Sequence, residues 1–106
     1  MRVLLDECLP KKLKKEIRDC WIATAPEMGW AGKKNGELLR LADGQFDVFI
    51  TADQNLRYQQ NPTRLKIAIV FLDAEDTALQ TLLPLIPKIQ YALRKIRPHE
   101  FIRIGN

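Results

Sequence analysis

Residues Ile67 to Leu72 form an unbroken apolar run, Ile-Ala-Ile-Val-Phe-Leu. The run is far too short to cross a membrane, and its β-branched and aromatic content suits a strand. A strand with no polar alternation is one covered on both faces, as in the middle of a parallel sheet. The rest of the chain supplies partners for it. Val3–Leu5, Trp21–Thr24, Val48–Thr51 and Phe101–Ile104 read as further short strands, the last at an edge, with Trp21 in the core. Helical spacing fills the gaps between them. Leu9, Leu13 and Ile17 recur every fourth residue and predict a helix over 10–18, begun by Pro10. Asn35 is placed to cap a second helix through Leu38, Leu39, Leu41 and Ala42, ended by Gly44. The polar stretch 54–61 reads as a short helix or turn. The stretch 79–96 has helical spacing but carries Pro84 and Pro87, so the regular helix begins at about Pro87. Strands that alternate with helices predict one α/β domain over 1–106, a three-layer α/β/α sandwich with a mostly parallel central sheet.

Composition narrows the chemistry. With 46% hydrophobic and 28% charged residues, the chain is neither disordered nor coiled-coil in character. It contains no serine and a single histidine, His99, which excludes a Ser-His-Asp hydrolase and a histidine-rich zinc site. Cys8 and Cys20 form no C-x-x-C pair and read as reduced thiols. The opening residues Met1 to Asp6 read as a strand broken by a carboxylate, not as an export signal, so the expected location is cytoplasmic, with no membrane partner. A net charge of +4 permits a polyanionic partner without requiring one.

The acids are distributed unevenly. In open parallel sheets, functional groups gather outside the carboxyl ends of the strands. Asp6 and Glu7 follow the first strand, and Asp53 follows the third. Glu37 lies in the first turn of the helix after the second strand. Asp6, Glu37 and Asp53 are therefore expected on one edge, from three separate segments. Each has a plainer reading: Asp6 and Asp53 as caps of turns, Glu37 as a favourable charge at a helix start. Together they predict a shared site. Clustered carboxylates repel unless protonated or bridged by a cation, and an oxygen-only set suits Mg2+ or Mn2+. Such ions hold phosphate oxygens and acidify bound water, which points to phosphodiester hydrolysis. Lys33 and Lys34, in a loop on the same edge, and Arg57, just after Asp53, are the expected RNA contacts. Tyr58 is either a stacking or a packing residue, and Trp30 either locks its loop or faces a partner.

Three stretches carry a family resemblance: Leu-Leu-Asp-Glu-Cys-Leu-Pro over 4–10, Gly29–Gly32 with Asn35-Gly-Glu-Leu-Leu39, and Asp47-Val-Phe-Ile-Thr-Ala-Asp-Gln-Asn-Leu56. In order and spacing they resemble the small PIN-like proteins, relatives of VapC-type toxins. The resemblance implies a parallel-sheet α/β/α fold and a Mg2+- or Mn2+-dependent ribonuclease. That enzyme would be the toxin of a toxin–antitoxin pair, with a small antitoxin protein as partner and a homodimer as a frequent state. It matches Asp6, Glu37 and Asp53 to the family acids. Water activated by the metal would attack phosphorus in line, leaving a 5′-phosphate and a 3′-hydroxyl. The chain departs from the pattern at Asn35, where such relatives often carry aspartate, and at Leu56, where many carry phenylalanine. A fourth acid has no secure match, with Asp73 and Asp76 the candidates. These departures keep open an inactive PIN-like module that binds RNA or a protein. A phosphoryl-accepting receiver domain would also place acids after strands one and three. It further needs a Ser or Thr after strand four and a Lys after strand five, and the sequence has Asp73 and Asn106 there.

Overall fold

The computed structural model describes residues 1–56 and 65–105. Five strands form one sheet: β1 (Arg2–Leu5), β2 (Trp21–Thr24), β3 (Val48–Thr51), β4 (Ala68–Asp73) and β5 (Phe101–Gly105). Every pairing is parallel, and the spatial order is β2-β1-β3-β4-β5. The helices are α1 (Asn35–Ala42), α2 (Leu79–Leu82) and α3 (Ile86–Lys95), with 3-10 turns at Lys11–Lys15, Pro26–Met28 and Leu83–Leu85. No helix among the described residues is long and apolar enough to cross a membrane.

Alternate side chains along the strands feed two apolar clusters, as the two-residue period of a strand requires. Val3, Leu5, Val48, Ile50, Val70 and Leu72 pack with Leu13, Ile17, Leu85 and Ile89. Leu4, Phe49 and Ile69 instead meet Leu38, Leu39 and Ala42 of α1. The central strands are thus buried on both faces, which is why β3 and β4 read as continuous apolar runs.

Three expectations need correction. The helix over 10–18 is only a five-residue 3-10 turn. Lys11, Lys12, Lys14 and Lys15 would stack like charges at three- and four-residue spacing in a longer α-helix. Leu9, Leu13 and Ile17 nevertheless all point inward and are buried. Trp21 is not core: it opens edge strand β2 and is 51% exposed, its ring stacked on Phe46 at 5.9 Å and covered by the Arg2 guanidinium at 4.2 Å. Asn35 does not cap α1. Lys34 holds the N-cap position without a side-chain bond, and Asn35 is the first helical residue. The proline-interrupted stretch behaves as expected: α2 and a 3-10 turn precede α3, which carries Pro87 in its first turn.

Candidate functional site at the carboxyl ends of β1 and β3

The strand order fixes where an opening forms. The chain leaves β1 toward β2 on one side and leaves β3 toward β4 on the other, so the sheet has its topological switch point between β1 and β3. Loops diverge there and leave a crevice outside the carboxyl ends. Asp6 and Asp53 stand at that crevice.

A single hydroxyl joins them. Thr51 ends β3 and is fully buried. Its Oγ1 donates to Asp6 Oδ2 at 2.7 Å and accepts the backbone N–H of Asp53 at 3.0 Å. Asp6 is only 7% exposed, and its Oδ1 accepts the Glu7 N–H at 2.8 Å. The backbone N–H of Asp6 donates to Ile50 O at 3.0 Å, which ties the end of β1 to β3. A buried carboxylate needs such donors, because leaving it unpaired is costly. The Cys8 thiol also sits over this acid, with its sulfur 3.5 Å from Asp6 Oδ2. Burial, with the Asp6 charge adding to it, pushes the Cys8 thiol up to about 11, so it is neutral at physiological pH.

Asp53 is half-buried and faces the other way. Its Oδ2 accepts from the Asn35 amide at 2.8 Å, and its Oδ1 accepts the Asn55 N–H at 2.9 Å. Together with Lys34, Gly36, Glu37 and Arg40 these residues line an open groove of about 930 Å3. Glu37 is exposed and pairs with Lys33 at 3.5 Å, one helical turn away. The Gly29–Lys34 loop is held in place from both ends. Gly32 N–H donates to Glu7 Oε1 at 3.0 Å, and Trp30 packs edge-on against Phe46 at 6.2 Å. Trp30 therefore locks its loop. Gly29 and Gly32 have φ of 79° and 80°, which a side chain would strain. Below the loop, Thr24 and Glu27 cap each other reciprocally at 2.9 and 3.2 Å. These bonds and Lys14 hold the Glu27 carboxyl down to about 2.

Asp6, Glu37 and Asp53 thus share an edge but not one cavity. Asp53 and Glu37 line the groove, whereas Asp6 lies behind Thr51. Among the described residues no three His, Cys, Asp or Glu side chains stand grouped as ligands of one ion. Lys34 lines the groove and Lys33 pairs with Glu37 of its wall, while Arg57 and Tyr58 lie outside the described residues. Asp73 and Asp76 are elsewhere: Asp73 pairs with Arg103 at 2.7 Å, and Asp76 caps the approach to α2 through the Ala78 N–H at 3.0 Å. Thr51, Asn55 and Arg40 belong to the site but carry no acidic signal in the sequence. Arg40 was findable, since it lies three residues after Glu37 on the same helix face.

No family model, curated protein or solved structure matches the chain. The ground for assigning a function is therefore the groove's own chemistry.

Proposed function

We propose that this protein is a metal-dependent ribonuclease of PIN-like, three-layer α/β/α architecture, acting in the cytoplasm as the toxin of a toxin–antitoxin pair. The observation that carries the reading is the Thr51 hydroxyl, which couples Asp6 to Asp53 at the switch point. The all-oxygen donor set fits a hard dication. Asp53 and Glu37 would hold Mg2+ or Mn2+ from the groove, with Asp6 orienting Asp53 through Thr51. When bound, such an ion supplies charge against phosphoryl oxygens and a more acidic water. Lys34 and Arg40 line the groove beside Asp53 and can hold flanking phosphates. Lys33 pairs with Glu37 at the groove wall. Single-stranded RNA incubated with the protein and Mn2+ should be cut, and EDTA should stop the cutting. Intact RNA after incubation at millimolar Mn2+ would exclude the reading.

A second reading, a catalytically silent module that binds RNA or a protein partner, is favoured by one contact. The Asn35 amide already occupies Asp53 Oδ2, a position a cation would otherwise fill. Asn35→Asp separates the two readings. It sets a second carboxylate beside Asp53, whose repulsion should cost about 1–3 kcal/mol in EDTA. Mn2+ should restore that loss and bind about tenfold more tightly than to the wild type, as another carboxylate ligand would cause. Calorimetric titration and thermal melting read both effects. A variant that gains no Mn2+ affinity supports the silent module.

A further inference from the structure

We propose that the opposite, amino-terminal edge of the sheet is a binding surface for single-stranded nucleic acid. Two cavities adjoin there at Met1. One, of about 360 Å3, lies under the starts of β1, β3 and β4 and is floored by apolar groups including Phe46, Val48 and Ile96. The other, of about 310 Å3, opens between the start of β2 and α3, beside Cys20 and Leu93.

Charge distinguishes this edge from the groove. Arg2, Lys66 and Arg97 border the first cavity, and Arg18 and Arg94 border the second. Asp47 and Asp19 are the carboxylates in the two linings, and Asp47 already accepts the Arg2 backbone N–H at 2.8 Å; Asp43 and Glu100 stand close by, accepting the backbone N–H groups of Lys66 and Arg97. All five cationic side chains belong to exposed residues, and none forms an ion pair among the described residues. The groove lining is balanced instead, with Lys34 and Arg40 facing Glu37 and Asp53. A polyanion is therefore drawn first to the amino edge.

The aromatic content narrows the polyanion. Trp21 follows Cys20 of one cavity and packs on Arg2 and Phe46 of the other. Arg2 and Phe46 pack against the indole, and the residue is half exposed. A half-exposed indole beside cations that form no ion pair among the described residues suits a base that stacks while its neighbouring phosphates are paired. A duplex has no open base face to offer it. The edge lies a strand length, roughly 13 Å, from Asp6 and Asp53, so an RNA bound here leaves the groove free.

The test is binding of a short labelled oligouridylate in EDTA, so that failure of the nuclease reading would leave the result untouched. The wild type should bind with quenching of tryptophan emission, and Trp21→Phe should remove most of the quenching. Arg94→Glu with Arg97→Glu should weaken binding about tenfold or more and lower the salt slope by about two. Lys11→Glu with Lys12→Glu, exposed on the first 3-10 turn and outside both cavities and the groove, should change it by less than about twofold. Circular dichroism verifies that these exposed substitutions leave the fold intact. Binding weaker than roughly 100 µM at low salt would overturn the proposal. So would wild-type affinity in the Arg94, Arg97 variant, or equal binding of duplex with no quenching.

Discussion

Asp6→Asn should lower Mn2+-dependent RNA cleavage by about a hundredfold or more, while costing only about 1 kcal/mol of stability. The substitution keeps shape and one oxygen, so Glu7 N–H retains an acceptor. What changes is the other atom. An amide nitrogen facing Thr51 Oγ1 donates where Asp6 Oδ2 accepted, and the hydroxyl must turn its own proton elsewhere. That hydroxyl also receives the Asp53 N–H, so the reversal reaches the acid in the groove. Asp6 does not line the groove. On the proposed nuclease reading it acts as a positioning residue, and its loss should raise the Mn2+ concentration needed for half-maximal cleavage as well as lowering the maximal rate. Thr51→Val removes the same link without touching either carboxylate, and should reproduce most of the loss. Full cleavage by Asp6→Asn at saturating Mn2+ would show that the pair is structural only.

Much of the parallel-sheet architecture is legible in the sequence, for a physical reason. Strand residues such as Val48–Thr51 and Ile69–Leu72 are apolar on both faces because the sheet is covered on both faces, so burial is written directly into composition. The carboxyl-edge placement of Asp6 and Asp53 follows from parallel topology alone. Other features depend on contacts between distant segments. The four-residue spacing of Leu9, Leu13 and Ile17 marks the face that is buried, yet the backbone at Leu13 forms a 3-10 turn, because the lysines around it decide the turn and the leucine decides only the face. Trp21 looked like core from its strand position. The first residue of an edge strand has cover on one side only, and here Arg2 and Phe46 supply it. Asn35 suited a cap by residue type, but the helix starts one residue earlier, with Lys34 at the N-cap position, and the Asn35 amide donates instead to a carboxylate eighteen positions away. No local pattern announces that bond, nor the role of Thr51, whose hydroxyl reads as ordinary strand chemistry until β1 is laid beside β3.

The largest stability effect should come from Phe49→Ala. Phe49 is fully buried in the middle of β3, hydrogen-bonded into strands on both sides, so its backbone cannot shift to close a void. Its ring packs in the cluster that joins Leu4 and Ile69 to Leu38, Leu39 and Ala42 of α1. Truncating such a residue removes its transfer free energy and leaves a cavity, together about 3–5 kcal/mol. A domain of this size has about 5–15 kcal/mol in all. The melting temperature should fall by more than about 10 °C, as followed by circular dichroism. Phe49→Leu keeps most of the volume and should cost about 1 kcal/mol. The consequence for the site is directional. α1 carries Asn35, Glu37 and Arg40 and rests on this cluster, whereas Asp6 and Thr51 are held by the sheet itself. Below its melting point, Phe49→Ala should therefore loosen the α1 wall of the groove before it disturbs the Asp6–Thr51 bond. Amide exchange reads that order. Faster exchange at Leu38 and Leu39 with protection kept at Leu5 and Ile50 is the expected pattern, and equal loss at all four would show that the groove wall and the strands open as one unit.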